Sequence, residues 1–184
     1  MKKITFFASV LALCFTTVQA QNPLQFLSNY EANTEGSAET VAYDVINQQA
    51  FFTNSANNSF TIVDISNPST PVLVKNVDLS TYGAGPNSVA VNGSIVAVAV
   101  EADPKQNPGK VVFFNLDGVY VNEVTAGVLP DMLTFTPDGM KLLVANEGEP
   151  SSDYTNDPEG TISIIDLSAG VASATVATIT FNAY

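Results

Sequence analysis

Carboxylate side chains are concentrated in one segment near the end of the sequence, between residues 147 and 160. Five fall there, namely Glu147, Glu149, Asp153, Asp157 and Glu159. Carboxylates this close together repel one another unless solvent or a cation separates them. Oxygen-only ligands favour a hard cation such as calcium, which takes about six to eight oxygens. The segment therefore predicts either a solvated acidic loop or a calcium site, although its spacing is not that of an EF-hand.

A second acidic segment has a matching form. Glu101-Ala102-Asp103-Pro104 parallels Glu147-Gly148-Glu149-Pro150, and the first glutamates of the two lie 46 residues apart. Glu101 and Asp103, together with Asp131, are therefore further candidates for the same metal or ligand site.

The residue types that are absent exclude several kinds of chemistry. The sequence has no histidine and no tryptophan, and it contains no arginine. Ser-His-Asp catalysis, histidine-bound zinc and arginine clamps on phosphate are therefore excluded for this chain. The formal net charge of −12 at pH 7 repels nucleic acid, so nucleic acid is not a predicted partner. No organic cofactor is predicted.

The first twenty residues have the form of a signal peptide. Lys2 and Lys3 precede an apolar run from Ile4 to Phe15, and Val18-Gln19-Ala20 fits signal-peptidase cleavage. The run is too short to remain as a membrane span. A lipoprotein reading through Cys14 is disfavoured because the bulky Leu13 precedes the cysteine. Residues 1–20 predict export, to the cell surface, the medium or the periplasm, with no transmembrane segment after cleavage.

Short apolar runs separated by Gly, Pro, Asn and Asp clusters predict an all-β chain that repeats. The run from Phe60 to Ile65 recurs at 111–116 and at 162–167, and Asp64, Asn115 and Asp166 within these runs are spaced by 51 residues each time. Each run follows a matched pair of strands joined by a tight turn. Four strands in 45 to 50 residues is about the size of a propeller blade. A β-sandwich or solenoid is the alternative, and the phase-locked repeat disfavours it.

The repeat divides the chain into a partial β-propeller at 39–184, with blades at about 39–80, 85–127 and 129–184. Three four-stranded blades are fewer than the probable seven, so we expect a fragment of a longer protein. Residues 21–38 form an N-terminal segment in which Leu24 to Tyr30 is a candidate ring-closing strand.

Blade topology places the two acidic segments on one face, because loops between second and third strands emerge beside the connections between blades. Glu39 and Asp131 lie at two of those connections and are therefore predicted on the same face as the acidic segments. Asp64 and Asp166 are predicted to cap turns. The aromatic pairs Phe51-Phe52 and Phe113-Phe114 are predicted to pack between blades.

Several segments resemble a known family. The stretch from Phe60 to Val74 resembles the LVIVD repeat of cell-surface proteins. The motifs AETVAYD at 38–44, GKVVFFNLDG at 109–118, LPDMLTFTPDG at 129–139 and LLVANEGEPSSDYTNDPEGTISIIDLS at 142–168 resemble the choice-of-anchor I family. The resemblance implies an exported, seven-bladed propeller of the YVTN and WD40-like group. It also implies a separate C-terminal anchor or sorting domain, and some relatives carry an alkaline-phosphatase label.

Two classes of function follow from these expectations. The first is an exported or cell-surface binding or scaffold module that meets an unidentified extracellular ligand or protein at its acidic face, with calcium as a stabilising ion. A secreted adhesive or matrix component differs from it only in the partner. The alternative is a propeller-type metal-dependent hydrolase, a phosphatase or lactonase, in which carboxylates hold a metal and the rest of the site lies in missing blades.

Overall fold

The computed structural model describes residues 24–32 and 38–181. The strands in this part of the chain are β1 Ala38–Asp44, β2 Gln49–Asn54, β3 Ser59–Asp64, β4 Val72–Asp78, β5 Gly85–Asn92, β6 Ile95–Glu101, β7 Pro108–Asn115, β8 Tyr120–Val128, β9 Pro130–Phe135, β10 Lys141–Asn146, β11 Thr161–Asp166 and β12 Thr175–Thr180. Two 3-10 turns, Ser55–Asn57 and Val171–Ser173, complete the regular structure there.

The strands form three four-stranded antiparallel sheets in chain order, β1 to β4, β5 to β8 and β9 to β12. We call these sheets blades 1, 2 and 3. The all-β prediction is confirmed, and so is the arrangement of three four-stranded blades. The blades do not close into a ring.

Tight turns fix the register of the strands. Asn92 pairs with Ile95, so Gly93 and Ser94 form a two-residue hairpin loop between β5 and β6. Gly93 has a φ of +55°, a backbone conformation that is costly for a residue with a side chain and that glycine adopts readily.

Blade 2 lies between the other two and packs against both through alternating side chains. Val98 and Phe114 face blade 1, where they meet Phe60. Ala97 and Phe113 face blade 3 and join a cluster with Leu142, Val144 and Ile165 there. Successive residues of a strand point to opposite faces, so a continuous apolar run buries both faces of the central sheet. The packing predicted for Phe113 and Phe114 is confirmed.

Blade 1 has one face that no other blade covers. Phe51 is fully buried toward blade 2. Phe52 points to the opposite face, and its ring lies 5.9 Å from that of Tyr30. The prediction that both members of the Phe51-Phe52 pair pack between blades therefore holds for Phe51 alone, because Phe52 meets the N-terminal segment instead.

The first strands of the blades lie side by side and are joined by hydrogen bonds. Thr40 Oγ1 donates to the carbonyl of Asn87 at 3.4 Å, and Asn87 Nδ2 donates to the carbonyl of Pro130 at 3.0 Å. These contacts connect β1 to β5 and β5 to β9 at corresponding positions. The first strands therefore line the inner edge of the blade array.

The segment 24–32 belongs to no strand in the structure. It lies against the open face of blade 1, where Ser28 Oγ donates to the carbonyl of Pro68 at 2.5 Å. The predicted signal peptide, residues 1–20, lies outside the described residues and stays a prediction. Within the described part of the chain, no helix has the length and apolarity needed to cross a membrane.

Candidate functional site

The blades expose two ends that differ in structure. One end, the turn face, carries the turns between first and second strands and between third and fourth strands. The other end, the loop face, carries the second-to-third-strand loops 55–58, 102–107 and 147–160 and the blade connections 79–84 and 129. Every candidate site residue from the sequence lies on or beside the loop face.

Aspartates of the turn face are engaged in holding turns. Asp64 Oδ1 accepts the backbone N–H of Ser66 at 2.8 Å. Asp166 Oδ1 accepts the N–H of Ser168 at 2.9 Å and its hydroxyl at 2.6 Å. The turn-capping role predicted for both is therefore seen. The Ser168 hydroxyl and N–H, with Lys141 at 3.1 Å, lower the pKa of Asp166 from 3.8 to about 2.

The two acidic loops of blades 2 and 3 are joined by one lysine. Lys105 Nζ lies 3.6 Å from Glu101 Oε2 and 3.9 Å from Glu149 Oε2. Gln106 Nε2 adds a hydrogen bond of 3.3 Å to the carbonyl of Glu149. Glu101 and Glu149 thus both lie within reach of one ammonium group, and their role as metal ligands stays a prediction. The sequence contained a local signal for the ion pair between Glu101 and Lys105, which are four residues apart, but none for the contact of Lys105 with Glu149.

The loop 147–160 has a closed base and a folded tip. At the base Gly148 has a φ of +69°, and a Cβ there would lie 2.4 Å from the carbonyl oxygen of Pro158. At the tip Asp153 Oδ1 accepts the Ser151 hydroxyl at 2.7 Å and the Thr155 hydroxyl at 2.9 Å. The Ser151 hydroxyl is the main cause of a lowered pKa at Asp153. Asp153 therefore stabilises the loop tip, a role that the sequence analysis did not assign to it.

Asn146 anchors this loop from below, and the sequence analysis missed it. Its side chain is 3% exposed, and Nδ2 donates to the hydroxyls of Thr161 at 3.1 Å and Ser163 at 3.0 Å. Oδ1 accepts the N–H of Gly127, in the outer strand of blade 2, at 3.1 Å. One buried amide therefore links the loop, its own blade and the neighbouring blade.

The remaining candidate carboxylates, Asp103, Asp131, Glu147, Asp157 and Glu159, are exposed. None of their side chains forms a hydrogen bond or ion pair in the described structure. No group of three or more carboxylates that could hold a metal ion occurs within residues 24–32 and 38–181. The calcium site stays a prediction, and binding would require these side chains to turn toward one another.

Most of the described lysines form their contacts away from the acidic loops and leave the negative charge of these loops largely unbalanced. Lys75 donates to the carbonyls of Asp117 and Gly118, Lys110 pairs with Glu123 at 2.7 Å, and Lys141 pairs with Asp166. Among the described lysines, only Lys105 forms ion pairs with carboxylates of the acidic loops. The loop face is therefore a negatively charged surface.

Blades of four antiparallel strands, stacked face to face with their first strands at an inner edge, define a sector of a β-propeller. Solved structures agree with this class. Hydrazine synthase of Kuenenia stuttgartiensis is 18% identical with a TM-score of 0.56, over 76% of this chain and 37% of that one. A candidate 6-phosphogluconolactonase from Bacteroides fragilis is 14% identical with a TM-score of 0.60, over 78% and 39%. A corresponding protein from Bacteroides uniformis is 18% identical with a TM-score of 0.56, over 77% and 39%.

These similarities establish the fold alone, and the chain spans less than half the length of each of these propellers. Residues 39–184 match the profile of the choice-of-anchor I domain, and the chain belongs to that family. The family resemblance drawn from the sequence motifs is therefore confirmed. A comparison with curated proteins gives no match.

Proposed function

We propose that this chain is the N-terminal sector of a surface-associated propeller that binds a basic protein or peptide through its acidic loop face. Membership of the choice-of-anchor I family supports a surface propeller module. The observation that carries the choice of face is the state of its carboxylates. Glu147, Asp157 and Glu159 are exposed and take no part in holding the fold, whereas Asp64 and Asp166 of the turn face are used by their own turns.

The geometry of the loop face supports recognition rather than catalysis. The loop 147–160 is held at its base by Gly148 and at its tip by Asp153, and Lys105 ties it to the neighbouring loop. A preordered set of acidic groups attracts a positively charged partner and orients it as it approaches. The partner class is therefore one with clustered lysine or arginine side chains.

Calcium belongs to the same proposal as a second occupant of these carboxylates. Carboxylate and carbonyl oxygens suit calcium, and the loop supplies both. A bound calcium ion would cancel part of the charge that attracts a basic partner, so calcium and partner are expected to compete.

The hydrolase alternative is not favoured. The lactonase-like structures are 14% and 18% identical and support a common fold only. A fold of this kind carries many unrelated functions.

Binding of a nona-arginine peptide to the protein, expressed from its natural start to its natural stop, tests the proposal. We expect measurable binding by biolayer interferometry at low ionic strength, weakened by salt because the interaction is electrostatic. The triple variant Glu147→Gln, Asp157→Asn, Glu159→Gln is expected to lose at least about tenfold in affinity, which corresponds to 1.4 kcal/mol. Millimolar calcium is expected to weaken binding to the wild-type protein and not to the variant.

A charge-matched control uses the opposite face. The triple variant Asp64→Asn, Asp117→Asn, Asp166→Asn removes the same charge from the turn face, and Asn115 already serves a turn there. It should bind the peptide like the wild type. An equal loss of affinity in both variants would mean that the peptide responds to the net charge of the protein and not to the loop face. If the wild-type protein does not bind the peptide, the proposed partner class is excluded.

A further inference from the structure

A hydrogen bond of one kind recurs at three places along the blade array. Lys75, in the outer strand of blade 1, donates to the carbonyls of Asp117 and Gly118 in the turn between the third and fourth strands of blade 2, at 3.1 Å each. Asn122, in the outer strand of blade 2, donates at 2.7 Å to the carbonyl of Val171 in the corresponding turn of blade 3. Each outer strand thus reaches the same turn of the following blade.

Ser28 makes the third of these bonds, although it belongs to no strand. It donates to the carbonyl of Pro68, which lies in the corresponding turn of blade 1. The separation in sequence between donor and acceptor is 40 residues for Ser28, 42 for Lys75 and 49 for Asn122. Segment 24–32 therefore holds the position, relative to blade 1, that an outer strand holds relative to the blade that follows it.

A difference between two asparagines points to the same missing neighbour. Asn54 ends β2 as Asn146 ends β10, and both side chains are 3% exposed. Asn146 Oδ1 accepts the N–H of Gly127 from the preceding blade. Asn54 Oδ1 is buried and has no hydrogen-bond partner in the described structure. Buried carbonyl oxygens are normally paired, so the open acceptor marks a place for an N–H group.

The open face of blade 1 is also apolar. A cavity of about 590 Å³ separates it from the N-terminal segment, with Tyr30 on one side and Phe52, Val63 and Ile65 on the other. Phe60 and Ile62 occupy the opposite face of β3, where blade 2 covers them. Blade-to-blade burial is thus complete on one side of blade 1 and absent on the other.

We propose that Leu24–Ala32 is the outer strand of an additional blade whose three inner strands come from the same polypeptide and dock on the open face of blade 1. The three strands pair with the backbone edge of residues 24–32 and cover Phe52 and Val41, of which Val41 is 70% exposed. A backbone N–H of this blade binds Asn54 Oδ1 as Gly127 binds Asn146 Oδ1. The same polypeptide is the source because the solved propellers that this chain resembles are about twice its length, and this chain covers 37% to 39% of them. The cavity is then a blade interface and not a ligand pocket.

Hydrogen exchange on the protein expressed from its natural start to its natural stop tests this directly. Amides of residues 24–32 should exchange at least about a hundredfold more slowly than in the free peptide, because a paired strand protects them. Light scattering should show a monomer. Exchange at the free-peptide rate would overturn the proposal, and protection that appears only in a dimer would replace the same-chain source with a second copy.

A pair of variants gives a second, independent readout. Asn146→Ala removes a paired amide and should lower the melting temperature. If Asn54 is paired in the same way, Asn54→Ala should lower it by a similar amount. If Asn54 Oδ1 has no partner, the substitution removes an unpaired buried oxygen, and the melting temperature should stay constant or rise. Peptide binding at the loop face does not enter either measurement, so this proposal and the proposed function can fail separately.

Discussion

The turn face and the loop face carry acidic residues of two kinds. On the turn face they are aspartates such as Asp64, Asp138 and Asp166, whose short side chains accept an N–H two residues along the chain. On the loop face most of the described carboxylates, Glu147, Asp157 and Glu159 among them, accept no hydrogen bond, although Asp78 and Asp153 hold turns there as well. The first group stabilises the fold, and the second projects toward solvent. The hydrogen bonds that the carboxylates accept, rather than the length of the acidic side chain, therefore distinguish the two ends of the molecule.

The largest expected effect comes from a neutral residue at the loop-face end. Asn146→Ala leaves the N–H of Gly127 and the hydroxyl of Ser163 without their buried partner, which should lower the free energy of unfolding by about 3 kcal/mol. Urea unfolding measures this loss. Glu147→Ala, at the next position, is the control and should change stability by less than about 0.5 kcal/mol. Equal effects at the two positions would mean that the loop-face glutamates are also structural.

An intermediate effect is expected from pH at the turn face. The pKa of Asp166 lies near 2 in the folded chain and near 3.8 when its partners are lost. Because the pKa is lower in the folded chain, the ionised carboxylate stabilises the folded state at pH values above the pKa of the unfolded chain. This contribution disappears as the pH falls from about 4 to about 2. The variant Asp166→Asn retains an acceptor for Ser168 and lacks the charge. Its urea midpoint should approach that of the wild type as the pH falls through this window, and a constant difference would contradict the assignment.

The smallest effect sharpens the contrast between the faces. Neutralising Glu147, Asp157 and Glu159 together should change the urea midpoint in chelator by an amount equivalent to less than about 0.5 kcal/mol, because exposed groups without partners contribute little. Salt should reduce the difference further. A clear destabilisation would show that these carboxylates hold the loop as Asp153 does.

Much of the fold could be predicted because local chemistry specifies it. The repeated positions of Asp64, Asn115 and Asp166 end equivalent strands and cap equivalent turns, so the spacing of 51 residues carries the strand order with it. Alternation within the Phe113-Phe114 pair likewise gives both faces of the central sheet. These features depend on residues that are close together in the sequence or on the two-residue alternation of side chains along a strand.

The details of the site were less accessible because they depend on contacts between blades. The approach of Lys105 to Glu149 joins loops from separate sheets, and no local pattern specifies which glutamate a lysine meets. Asn54 and Asn146 are equivalent in position, but only the fold shows that one is paired and the other open. Asp153 was grouped with the metal candidates by composition, and its additional role in holding the loop tip was not foreseen.

The contact between Gly127 and Asn146 affects which blade can follow which in the array. In blade 2 the corresponding position is Val100, which lies opposite Pro86 as Asn146 lies opposite Pro130, and the valine side chain offers no acceptor. Glycine is required at the donor position, because a Cβ at Gly127 would lie 2.6 Å from Cγ of Asn146. The blades are therefore not interchangeable units, because the fourth strand of blade 2 and the second strand of blade 3 must stay together to keep this pair.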